Sequence, residues 1–140
     1  GVDLVRLQIE IAQGARLPFT QDEVPGPFGH AMEFRINAET PDKFLPSPGL
    51  ITAYEPAGGI GVRVDGVAHA GYTVLPHYDS MVAKLIVHGA NREECLQRAR
   101  RALHEYRIEG ISTTIPFHQK LLENERFVNG DYDTHLIETM

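Results

Sequence analysis

The sequence predicts an α+β fold, an antiparallel sheet with flanking helices. Three observations carry that prediction. Residues 30–39 alternate apolar and polar with period 2 from Met32 onward, residues 79–88 form the longest apolar run, and residues 91–106 carry apolar side chains at helical spacing. The order of helix, several strands, then helices argues against βαβ repeats, and no internal repeat is present.

Along the chain, Val2, Leu4, Val5, Leu7, Ile9, Ile11 and Ala12 predict a helix over 2–13, stopped by Gly14. Its apolar positions are too broad for one stripe and predict burial on more than one side. Residues 15–29 hold three prolines and two glycines and read as an irregular arm. In His30 to Glu39, Met32, Phe34, Ile36 and Ala38 fall on one strand face and Glu33, Arg35, Asn37 and Glu39 on the other. Phe44 to Gly49, "FLPSPG", is turn chemistry leading to a strand at Leu50 to Tyr54. A Gly58-Gly59 turn feeds a strand at Gly61 to Asp65, and Asp65-Gly66 predicts a hairpin into Val67 to Tyr72, a three-strand meander. Residues 79–88, "DSMVAKLIVH", predict the central strand. Asn91 and Glu94 resemble a capping box, opening a helix that carries Leu96, Ala99, Leu103 and Tyr106 towards Gly110. Thr114 can cap a short helix with Pro116 in its first turn, and a last helical turn starts near Asp133 or Thr134.

A chain of 140 residues forms one domain with a hydrophobic core, since folded chains of this size bury roughly two-thirds of their unfolded surface. With 42% apolar and 23% charged residues, disorder is excluded. The net charge of −6, without a basic block, excludes a nucleic-acid footprint. Arg98, Arg100 and Arg101 share a helix with Glu93, Glu94 and Glu105 and read as a solvated mixed face. No apolar stretch is long enough to span a membrane. The single Cys95 fits a reducing compartment, the cytoplasm. The chain starts at Gly1 without a methionine while a helical pattern is already running, as expected for a piece of a longer protein.

Several residues could carry chemistry. Gly58-Gly59-Ile60-Gly61 invites comparison with a phosphate loop, but no Lys-Ser/Thr pair follows and the next element is a strand, so the glycines shape a turn. Arg63 lies on the face opposite Val62 and Val64. It is either a surface or ion-paired arginine or an oxyanion clamp, since a guanidinium stays charged and presents a planar fork of donors. Glu33, Arg35, Asn37 and Glu39 form either an ion network or a carboxylate site. Lys84, set among apolar neighbours, needs a partner carboxylate. Asp79 falls on the opposite strand face, which leaves Glu33 or Glu39. His69, His77 and His88 lack zinc spacing. Cys95 sits in a helix first turn, where the dipole lowers a thiol pKa, yet no base accompanies it, so it reads as packed.

Taken together, "HAMEFRINAE", "FLPSPG", "GGIGVRVDG", "AGYTVLPHYDSMVAKLIVHG" and "ANREECLQRARRALHEYRIEGISTTIPFH" resemble the C-terminal domain of biotin carboxylase, in order and over nearly the whole chain. The resemblance implies that residues 1–14 end a helix entering from an ATP-grasp domain and that residues 15–140 form the C-terminal domain. It implies ATP- and bicarbonate-dependent carboxylation of biotin on a carrier protein or domain, with Mg or Mn serving the ATP. In that chemistry carboxyphosphate yields CO2 and phosphate, the phosphate takes the N1′ proton, and the ureido enolate attacks CO2. The family's arginine after the glycine turn contacts the ureido oxygen, and the matching residue is Arg63, thereby both catalytic and substrate-binding.

The family's ATP-binding lysines, glycine-rich lid, metal-binding glutamates and Glu-His-Pro stretch have no counterpart in these residues. The resemblance therefore implies an incomplete site that works with the remaining ATP-grasp domains, and a homodimer whose interface lies near His88 to Arg92. The final carboxyl acceptor is left open. So is an alternative, a non-catalytic dimerisation or docking module that keeps the fold.

Overall fold

The computed structural model describes residues 2–140, and Gly1, the first residue of the expected entering helix segment, lies outside them. Among the described residues the α-helices and strands run α1 (Leu4–Ala12), β1 (His30–Asn37), β2 (Gly49–Leu50), β3 (Ala53–Glu55), β4 (Val62–Gly66), β5 (Thr73–Val74), β6 (Met81–Gly89), α2 (Arg92–Glu105), β7 (Arg107–Glu109), α3 (Ile115–Leu121) and α4 (Glu125–Asn129). The described strand pairs are antiparallel, and the main sheet has the order β1-β6-β4. The fold is α+β, as the sequence predicts.

Register explains the two faces of that sheet. Phe34 pairs with Leu85, which pairs with Val64, while Met32, Val87 and Val62 form the next rung. These side chains point to the core, where α2 lays Cys95, Leu96, Ala99, Ala102 and Leu103 against them. The opposite face carries Glu33, Arg35, Lys84, Ile86, Arg63 and Asp65. A period-2 pattern dictates this split, because alternate side chains leave opposite faces.

The start of α2 is fixed by a displaced capping box. Asn91 Oδ1 accepts from Glu94 N at 2.9 Å, and Glu94 Oε2 accepts from Ala90 N at 2.6 Å rather than from the cap residue itself. The helix ends at Glu105, short of Gly110. Tyr106 turns extended, its hydroxyl meets that of Tyr54 at 2.8 Å, and Arg107–Glu109 join β3.

Other expectations are corrected. The strand expected at Leu50 to Tyr54 splits into β2 and β3, which pair with β5 and β7 respectively. The switch falls at Ile51 and Thr52, whose amides donate to Tyr72 and Glu109 carbonyls at 2.9 and 2.8 Å. The Asp65-Gly66 hairpin does not form, and with it goes the meander. Gly66 belongs to β4 opposite Ala83, where a Cβ would lie 2.6 Å from the Val82 carbonyl. The glycine serves close strand approach, not a turn.

Thr114 does not cap α3. Its hydroxyl donates to the Arg35 carbonyl and accepts from Asn37 N, both at 3.0 Å, extending the ladder of β1 on its open edge. His118 Nε2 donates to the same carbonyl at 2.9 Å, and burial holds the ring below the usual histidine pKa. The helix α4, capped by Asn124 Oδ1 on Phe127 N at 3.1 Å, was not foreseen, and the last turn is a 3-10 turn at Leu136–Thr139. α1 buries none of its residues. Leu4, Val5, Ile9 and Ile11 are exposed, so the burial its composition predicts is absent from the described residues.

Candidate functional site

The outer face of the β1-β6-β4 sheet gathers the polar side chains singled out by sequence. One rung is Glu33, Ile86 and Arg63, and the next is Arg35, Lys84 and Asp65. Arg63 therefore stands one strand away from the Glu33 and Lys84 cluster, on the same surface.

Arg63 is held from within its own strand. Its Nε donates to Asp65 Oδ2 at 3.0 Å, two residues on and on the same face. Neither Nη atom donates to another described residue, so the fork is oriented through its inner nitrogen while its outer donors stay open. The Arg63 side chain is 69% exposed and Asp65 51%. Such a pair adds little to stability, about 0–1 kcal/mol, and its consequence is direction. The described residues do not by themselves shield Arg63 from water.

Lys84 finds the partner expected for it, with Nζ 4.0 Å from Glu33 Oε2, and Arg35 Nε lies 3.8 Å from the other oxygen of Glu33. Glu33 thus bridges two cations, as expected for an ion network. Glu39 lies outside the network and accepts from Ser80 Oγ and from Asn37 Nδ2.

The glycine-rich turn is no phosphate loop. Gly59 and Gly61 adopt φ of +96° and +70°, and Val62 N closes the turn on the Gly59 carbonyl at 3.1 Å. Cys95 is packed with its Sγ 3.5 Å from the Val87 carbonyl, and burial pushes its thiol pKa up. Desolvation outweighs the nearby Arg92 charge there. Among the described residues no group of three or more His, Cys, Asp or Glu side chains converges on a metal position.

Sequence reasoning missed the work of three arginines. Arg98, Arg100 and Arg101 donate to the carbonyls of His88, Leu122 and Gly58 at 2.7, 3.0 and 3.1 Å, so they staple α2 to three segments, while Arg98 and Arg101 also pair with Glu94 and Glu105 on the mixed face that the sequence predicts. Their spacing beside helical glutamates was visible. Their carbonyl acceptors, distant in sequence, were not. At the start of α2, Arg92 donates to the carbonyls of Phe127 and Val128 and lies over the Phe127 ring at 5.4 Å, while its Nη1 meets His30 Nε2 at 3.1 Å. His88 is exposed, its ring 3.3 Å from the Phe28 carbonyl.

Residues 33–139 match the family model described as biotin carboxylase C-terminal domain. Biotin carboxylase 1 of Bacillus subtilis is 54% identical over 99% of this chain, and this chain spans 31% of that protein. The biotin carboxylase of Haemophilus influenzae is 50% identical over 99% of this chain and 31% of its own length. Among solved structures, the biotin carboxylase domain dimer of Hydrogenobacter thermophilus 2-oxoglutarate carboxylase, in complex with MgADP, ADP and bicarbonate, superposes with a TM-score of 0.91. That match has 42% identity and covers 99% of this chain and 30% of that one.

Proposed function

This chain belongs to the biotin carboxylase C-terminal domain family, and from that membership we propose that its outer sheet face forms one wall of the site where biotin is carboxylated, with Arg63 meeting the ureido oxygen. The observation that carries the reading is the Arg63 fork, tied at Nε by Asp65 and open at both Nη atoms.

In the reaction, N1′ of biotin loses its proton and forms a bond to the carbon of CO2. Between those events negative charge collects on the ureido oxygen. A charged, preoriented donor aimed at that oxygen favours the transition state over the neutral ground state, an effect of about 3 kcal/mol in comparable oxyanion sites. Anchoring Nε lowers the entropy lost when the fork engages. Lysine offers a point charge without the fork.

The described residues hold no metal cradle. ATP with its Mg or Mn, and bicarbonate, belong in this reading to the ATP-grasp part of the complete enzyme, and the covering of Arg63 from water belongs there too. The exposed apolar side chains of α1 support assigning residues 1–14 to the end of that neighbouring part and residues 15–140 to the C-terminal domain. The partners are a biotin carboxyl carrier protein or domain and a second copy of the enzyme, docking near His88 to Arg92. No described helix is long and apolar enough to cross a membrane, and the reading places the enzyme in the cytoplasm.

The complete carboxylase carrying this domain is expected to cleave ATP in a bicarbonate-dependent way and to form carboxybiotin, whereas the 140 residues alone cleave no ATP. Radiolabelled bicarbonate fixation with phosphate release measures both. ATP turnover by the 140 residues contradicts the reading. So does a complete chain that dimerises and binds the carrier without carboxylating biotin, which is the behaviour of a docking module.

A further inference from the structure

Arg63 can present its fork only if the turn two residues before it is fixed, and the structure shows what fixes it. The register that pairs Val62 with Val87 sets Gly61 opposite His88, whose amide donates to the Gly61 carbonyl at 2.8 Å. With Gly61 at φ +70°, the return bond from Gly61 N to the His88 carbonyl is not made. Arg98 Nη1 supplies it instead, donating to the His88 carbonyl at 2.7 Å.

The other terminal nitrogen of Arg98 is committed as well. Nη2 pairs with Glu94 one helical turn earlier, and Glu94 also accepts from Ala90 N just beyond β6. The Arg98 side chain is only 25% exposed. A Cβ at Gly61 would collide with the His88 carbonyl and lie 2.6 Å from Arg98 Nη1. One helical turn on, Arg101 Nη1 donates to the Gly58 carbonyl at 3.1 Å and to Glu105 at 2.9 Å. The turn is therefore gripped from α2 at both ends.

We propose that Arg98 is a positioning residue for Arg63, closing the last rung between Gly61 and His88 so that β4 presents the guanidinium in register. The proposal rests on the reading of Arg63 given above. Arg98 is a poor anion clamp itself, because both of its Nη atoms already hold acceptors within the fold. It acts through the backbone, and misplacement of a reacting partner by about 1 Å can cost on the order of 100-fold in rate.

The test uses the complete carboxylase and measures carboxybiotin formation, bicarbonate-dependent ATP cleavage and thermal melting together. Arg98→Ala is expected to slow carboxylation about tenfold or more, within that range, while ATP cleavage changes much less. Arg98→Lys, with one donor head that cannot hold Glu94 and the His88 carbonyl in one plane, is expected to fall between the parent and Arg98→Ala. The decisive comparison is Arg63→Ala/Arg98→Ala, which is expected to be no slower than Arg63→Ala alone.

Additive losses in the double variant, parallel loss of both activities with a lowered melting temperature, or no loss of carboxylation each overturn the proposal. If Arg98→Ala does not accumulate as folded protein, Arg98→Lys carries the same comparison, and failure of both variants to fold assigns Arg98 to folding and overturns it too. Should Arg63→Ala itself leave carboxylation unchanged, the reading of Arg63 fails. A selective Arg63→Ala loss joined to an additive Arg98 effect sinks the positioning role alone.

Discussion

Arg63→Ala in the complete carboxylase is expected to slow biotin carboxylation by about 100-fold or more, the usual cost of deleting one oxyanion donor. Bicarbonate-dependent ATP cleavage is expected to survive far better, because that step precedes the charge on the ureido oxygen. Arg63→Lys should rescue little, since the ammonium cannot be anchored by Asp65 through one nitrogen while presenting two others. Comparable, small losses in both activities would remove Arg63 from the chemistry and return it to a surface ion pair with Asp65.

Leu85→Ala is expected to destabilise the domain by about 2–5 kcal/mol, the range for a core leucine truncated to alanine. Leu85 is fully buried on the central strand, between Phe34 and Val64 in register. The next residue, Ile86, points to the outer face and is only partly buried. Ile86→Ala should therefore cost clearly less, and denaturant unfolding of the two variants measures the difference. Equal costs would contradict the assignment of faces on which the site depends, because a one-residue slip of register exchanges every inward and outward side chain.

The elements with a strong period were legible in the sequence. β1 announces itself by alternation, β6 by its apolar run, and α2 by its cap and spacing. The same alternation puts Arg63 on the face away from the core, and the apolar neighbours of Lys84 call for the β1 carboxylate that it meets in Glu33. What the pattern could not give was partner choice. Residues 50–54 look like one strand, yet the chain changes partners at Ile51 and Thr52, and the new partners are fixed by β5 and β7 far along the chain. Asp65-Gly66 has turn composition, but Gly66 is needed where Val82 and Ala83 approach too closely for a side chain.

The helix α2 stops at Tyr106 because a tyrosine pair and β3 claim the following residues, a tertiary override that no local propensity reports. Likewise Thr114 has the identity of a cap but spends its hydroxyl on β1. The arginine staples of α2 were hidden for a related reason. A guanidinium's value depends on which carbonyl lies within reach, and carbonyls carry no sequence signal. The breadth of the apolar face of α1 was legible, whereas the described residues leave Leu4, Val5, Ile9 and Ile11 exposed.

In the proposed function Arg63 is a cationic fork oriented in advance towards a ureido oxygen. A crystal structure of the complete carboxylase with biotin and bicarbonate measures this directly. An Arg63 Nη atom is expected within about 2.7–3.1 Å of the ureido oxygen, with Nε still bonded to Asp65. A biotin ring seated elsewhere, or an Arg63 side chain turned from that oxygen while another residue donates to it, would contradict the account.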